Sequence, residues 1–269
     1  MLSKLLKYEF RSTCRTYLGV YGVMVLLCAV TGALDHVNQL LGEQMPVWAI
    51  LLVLTVMFLF AAVIITTVIN LKRFYEGMFK DEGYLTHTLP VPAWQNLAAK
   101  LIPAVVWTIG TGVMMMISTM LMVLTSASVS GNVWGDFFFA VGQMITRLNW
   151  TQVALLLQFC LLALLTLVCF ILQIYASVTL GQLVPKHPVG AAVVIWFVFN
   201  LVQSWTLDFM SQILINVSSG FSYMQTAGEL LLTDAFTHGF WWNVIFYLVW
   251  SVLFWVVTQQ LLERRLNLS

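Results

Sequence analysis

Residues able to do chemistry are scarce in this sequence, and their spacing removes most reaction classes. The four histidines, His36, His87, His187 and His238, stand far apart, with no Cys-x-x-Cys or Cys/His spacing beside them. Neither a metal centre nor a disulfide is expected from that pattern. A phosphate-cradling loop needs Gly-x-x-x-x-Gly-Lys-Ser/Thr, whose backbone N–H groups and lysine hold the nucleotide. The chain contains no Gly-Lys pair. It is therefore expected to bind no ATP. With no nucleophile, base and oxyanion site in reach of one another, it is expected not to be an enzyme.

Two polar groupings remain. Trp196, Asn200, Gln203 and Leu207 recur at helical spacing inside an apolar run, with Ser204 and Asp208 beside them. An acid within a span normally faces a bundle interior or a water-filled path. Trp196, Asn200, Gln203, Ser204 and Asp208 are thus candidates for a substrate pathway. The same amides and hydroxyls equally suit hydrogen bonds between neighbouring helices. Thr55, Thr66, Thr67 and Asn70 form a weaker set of the same kind. The second grouping is the stretch Lys72–Pro90, where Phe74, Tyr75, Met78 and Phe79 make i,i+4 pairs among Lys72, Arg73, Glu76, Lys80, Asp81 and Glu82. A plain linker would be rich in Gly and Ser. This one reads as a short helix that docks on a protein or lies flat on a membrane.

The elements that position these residues follow from composition. Of 269 residues, 61% are apolar and only 9% charged, against about 25% charged in soluble domains. Mean hydropathy is +0.91. Soluble enzymes, disordered chains and disulfide scaffolds are excluded, and an integral membrane protein is expected. A net charge of +1 suggests no nucleic-acid partner.

Six runs are long enough to cross about 30 Å of hydrocarbon: Tyr17–Leu34, Val47–Leu71, Leu101–Thr125, Thr151–Val184, Val189–Ile215 and Trp242–Leu262. The prolines fall between these runs or in their first turns. The first run exceeds the 7–15 residues of a signal-peptide core and is expected to be retained. Lys4, Lys7, Arg11, Arg15, Lys72, Arg73, Lys80, Lys100, Lys186, Arg264 and Arg265 fall on one side of the membrane, and Arg147 alone on the other. By the positive-inside rule the crowded side is cytoplasmic, with both termini there.

Three segments flank the spans. Met1–Arg15 is amphipathic, with Leu2, Leu5, Leu6 and Phe10 on one face and cations on the other; it is expected either to lie along the inner leaflet or to serve as ordinary flanking charge. Trp134, Phe138, Val141, Ile145 and Leu148 form an apolar stripe opposite Asp136, Gln143 and Arg147, expected to rest on the outer surface or cap the bundle. Asn216–Trp241 is greasier than a solvated loop and reads as an outer re-entrant or interfacial hairpin.

The run EGYLTHTLPVPAWQNLAAKLI, Glu82–Ile102, with the basic-aromatic residues before it, resembles small permease subunits of bacterial ABC transporters in the type-two membrane superfamily. Those subunits show a basic-aromatic stretch, an acid and a GYL-T-TLP segment, then a lysine entering the third span. The six-span layout, basic amphipathic start and outer excursion before the last span agree with the resemblance; only Phe74–Leu89 is motif-grade. His87 stands where an aromatic is more usual. The resemblance implies an all-α, six-span permease of an ATP-driven exporter in a bacterial plasma membrane, with amphipathic or antimicrobial-type peptides as the substrate class. It implies two partners, a separate ABC ATPase carrying ATP and Mg and a second permease subunit, identical or not. It also implies that the loop between spans two and three is a coupling helix on the ATPase, with Arg73, Phe74, Tyr75, Glu76, Phe79, Asp81, Glu82 and Tyr84 as the contact residues. A secondary transporter or channel, which works without an ATPase, is the alternative expectation.

Overall fold

Apolar runs that cross hydrocarbon must satisfy every backbone N–H and C=O internally, which leaves the α-helix as the local solution. A computed structural model of the chain describes residues 2–41, 46–79, 93–126, 133–146, 149–184, 186–222 and 230–266. Among them are seven helices and no strand: α1 (Leu2–Leu41), α2 (Pro46–Phe79), α3 (Ala93–Ser126), α4 (Val133–Thr146), α5 (Trp150–Gly181), α6 (Pro188–Ser222) and α7 (Leu230–Leu266). Six of them are long and apolar enough to cross a membrane. The protein is an all-α polytopic membrane protein.

The helices outrun the apolar stretches, and that changes three expectations. The amphipathic N-terminal segment is helical, but it continues without a break into the first span as one 40-residue helix. The aromatic residues after the second span belong to the end of α2, which runs unbroken to Phe79, and do not form a helix of their own. The rest of that loop, 80–92, lies outside the described residues. The stretch 216–241 is helical to Ser222 and again from Leu230, in continuity with the fifth and sixth spans; residues 223–229 are likewise outside the described set. Because α3 begins at Ala93, Pro103 sits inside the helix and not in its first turn. Pro46 and Pro188 do stand at helix starts, where the missing N–H is no loss.

The chain divides into two compact units. The first holds α1, α2, α3 from Ala98 onward and α4; the second holds the opening residues of α3 with α5, α6 and α7. In the first unit the membrane-crossing part of α2 turns small and hydroxylated residues inward. There its buried face carries Thr55, Ala62 and Thr66, while Leu54, Met57, Phe60 and Ile64 are exposed; large apolar groups are buried only nearer its end, at Phe74 and Met78. Lipid tails are as apolar as leucine, so large apolar groups gain little by turning inward, and small or hydroxylated ones let helices approach and bond. Thr31 and Thr55 hydroxyls meet at 2.7 Å. Tyr17 donates to Asn70 Oδ1 at 2.8 Å, and Asn70 Nδ2 donates to Thr108 at 3.1 Å. Tyr21 donates to the Trp107 carbonyl at 3.1 Å, and Thr111 bonds both Tyr21 at 3.1 Å and Thr66 at 3.0 Å. The Tyr17 and Trp107 rings stack at 4.6 Å and 7°. Gly32 completes the fit, since a Cβ there would lie 2.5 Å from the Met122 carbonyl and strike Thr125.

In the second unit the last half of α5 is the buried element, with Cys169, Ile171, Leu172, Tyr175, Ala176 and Val178 inside. Gly181 lets the end of α5 meet the start of α6, because a Cβ would stand 2.7 Å from the Pro188 carbonyl and 2.8 Å from the Ala192 nitrogen. Phe254 of α7 packs on Phe199 of α6 at 5.1 Å and on Trp250 at 5.3 Å.

Candidate functional site

The densest charge in the described residues gathers where α1, α2 and α3 converge at their lysine- and arginine-rich ends. Glu9, one turn before Thr13 on α1, presents its carboxylate to both neighbours. Oε2 accepts from Arg73 Nη1 at 2.9 Å, and Oε1 accepts from Lys100 Nζ. Arg73 Nη2 donates to Ser12 at 2.6 Å, so the guanidinium is held across one turn of α1. The three side chains are 19%, 28% and 13% exposed for Glu9, Arg73 and Lys100. At such partial burial a bond to a charged group is worth about 1.5–3 kcal/mol.

Two residues without charge make the geometry possible. Gly77 faces Lys100, and a Cβ there would lie 2.7 Å from its Cε and collide with Nζ. A side chain at this position would make the flexible end of Lys100 shift on its way to Glu9. Thr13 donates to the Glu9 carbonyl at 2.7 Å and accepts from Trp107 Nε1 at 2.9 Å, which fixes α3 against the same turn of α1. Tyr8, Glu9, Ser12, Arg73, Glu76 and Lys100 line an open cleft of about 280 Å³. Its lining carries two acids and two bases.

This arrangement redistributes the expected contact residues. Arg73 is engaged within the chain by Glu9 and Ser12. Phe74 is fully buried, which corrects its place on a docking face: the α2 register turns it inward beside Gly77 and Met78. Tyr75 and Phe79 are half-buried, with rings 6.0 Å apart, and Phe79 also meets the edge of Phe74 at 6.1 Å. Glu76 lines the cleft and stands 3.9 Å from Lys72. Asp81, Glu82 and Tyr84 lie outside the described residues.

The α6 stripe has partners mainly within the bundle. Asn200 Nδ2 donates to the Trp196 carbonyl at 2.8 Å, and Gln173 of α5, itself buried, reaches the same carbonyl at 3.4 Å. Gln203 meets Cys169 Sγ at 3.4 Å. Ser204 returns to the Leu201 carbonyl at 3.0 Å, and Asp208 is exposed near the far end of the span. Trp196 Nε1 is buried with no hydrogen-bond partner among the described residues. The Gln173 and Gln203 bonds join α5 to α6, the Asn200 and Ser204 bonds stay within α6, and together they favour the structural reading of the stripe.

Sequence reasoning passed over Glu9. It is the one acid among the cations of Met1–Arg15, and that isolation was the available signal. Gln173 and the Tyr17–Tyr21 and Trp107–Thr111 pairs, each four residues apart, were also missed. Comparison with protein-family models, with curated proteins and with solved structures finds no match.

Proposed function

We propose that this chain is the membrane-spanning permease subunit of an ATP-driven exporter, acting with a separate ABC ATPase and a second permease subunit in a bacterial cytoplasmic membrane. Amphipathic peptides are the proposed cargo. The observation that carries the reading is the basic end of α2. There the residues that resemble a coupling segment begin directly at a point where one carboxylate ties α1, α2 and α3 together. A push delivered to the following loop reaches three spans, because Arg73 and Lys100 share Glu9. The lack of any Gly-Lys pair supports placing ATP and Mg on the partner.

In this reading Tyr75, Glu76 and Phe79, with Asp81, Glu82 and Tyr84 beyond them, face the ATPase, while Phe74 holds α2 in place. The test is affinity purification of the tagged chain together with the ABC ATPase of its host. A complex of two permeases and two ATPases is expected, with ATP turnover only in the complex. Phe79→Ala should weaken association about ten-fold, equivalent to about 1.4 kcal/mol, without loss of insertion. ATP hydrolysis by the isolated chain, or unchanged assembly of both Phe79→Ala and Tyr84→Ala, would refute the proposal.

A further inference from the structure

Of the seven described helices α4 is the one too short to span, and its register and tethers say what it rests on. Its 14 residues extend about 21 Å at 1.5 Å per residue, too short for about 30 Å of hydrocarbon. It carries a single charge, Asp136. Helical register collects Phe137, Phe138 and Val141 on one arc, with Asp136 and Gln143 on another. Phe139 falls nearly opposite the apolar arc, beside Gly135 and Gly142. Gly135, Asp136 and every residue from Phe138 to Gln143 are exposed, with Phe138 at 63% and Phe139 at 68%. Within the apolar arc Phe137 is half-buried, while Phe138 and Val141 remain exposed.

The tethers decide the occupant. Helix α4 lies between two spans, and Thr146 is only four residues, about 14 Å of extended chain, from Trp150. Trp150 opens α5, is 88% exposed, and is the residue type that marks the headgroup level. A short, nearly uncharged amphipathic helix leashed to that level is held against lipid.

We propose that α4 is a lipid-binding surface, lying flat in the headgroup region of the leaflet opposite the basic helix ends. Phe137, Phe138 and Val141 sit in the acyl boundary, and Asp136, Phe139 and Gln143 face water. The inference needs only the six spans and does not rest on the exporter reading.

The experiment is nitroxide labelling of single cysteines at 136, 138, 139, 141 and 143, in a chain whose Cys14, Cys28, Cys160 and Cys169 are replaced, reconstituted in phosphatidylethanolamine–phosphatidylglycerol vesicles. Labels at 138 and 141 should collide several-fold more with oxygen than with a water-soluble nickel complex, and labels at 136, 139 and 143 should show the reverse. Position 139 is the sharp one, because a phenylalanine is assigned to water. As a second measurement on the unaltered chain, a diazirine-tagged acyl chain should crosslink within 137–141. Equal nickel access at all five positions, shielding of all five from both reagents as by a second copy of the chain, or no lipid adduct in that segment would overturn the proposal.

Discussion

Glu9 is a single carboxylate serving two cations on two other helices, and its removal has an asymmetric cost. Exposed ion pairs contribute about 0.2–1 kcal/mol, whereas stripping one partner from a buried pair costs about 3–5 kcal/mol, since a charge is left stranded. The triad is 13–28% exposed, so Glu9→Gln should fall between, at about 1–3 kcal/mol. Unfolding of the detergent-solubilised protein measures it. Arg73→Gln combined with Glu9→Gln should cost less than the two separate losses added. Simple additivity to within about 0.5 kcal/mol would mean that the two groups do not act as a pair. Gly77→Ala belongs to the same unit: its methyl group meets only the flexible end of Lys100, so its cost should stay below that of Glu9→Gln.

Among the helices, α5 and α6 make the opposite case, in which polarity serves packing. With Gln203 on Cys169 and Asn200 on its own helix, cysteines at 200 and 203 should stay inert to a polar thiol reagent, while Asp208→Cys, exposed at the end of the span, reacts. Rapid labelling at 200 and 203 would instead restore the stripe as a water-filled path. The number and nature of the helices were legible in the sequence because hydropathy reports which residues tolerate lipid. Their lengths were not, since a helix extends through polar turns for as long as its backbone bonds continue; α1 and α2 both do so. Facing was hardest to read. By sequence Phe74 reads as an exposed ring on a charged segment, yet the face it occupies is the buried one it shares with Gly77 and Met78. Thr55, Thr66 and Asn70 were legible as polar positions, but their partners on α1 and α3 are 24 to 53 residues away.

Across the whole molecule, the order in which the ribosome releases the chain now has a structural meaning. Glu9 precedes Arg73 by 64 residues and Lys100 by 91, and chains grow at about 5–20 residues per second. The first anion–cation pair and the Thr31–Thr55 and Tyr17–Asn70 bonds can all close while α3 is still unsynthesised. The α1–α2 hairpin is therefore expected to close as a first stage of insertion. Thr66 and Tyr21 then wait for Thr111 and Trp107. A chain ending at residue 92 with cysteines at 31 and 55 should crosslink in membranes as fully as the complete chain does, and it should remain a target for quality-control proteolysis until α3 arrives. If the crosslink needs α3, the hairpin is not an independent stage. A membrane protease would then see one long-lived nascent substrate where two short-lived ones are expected.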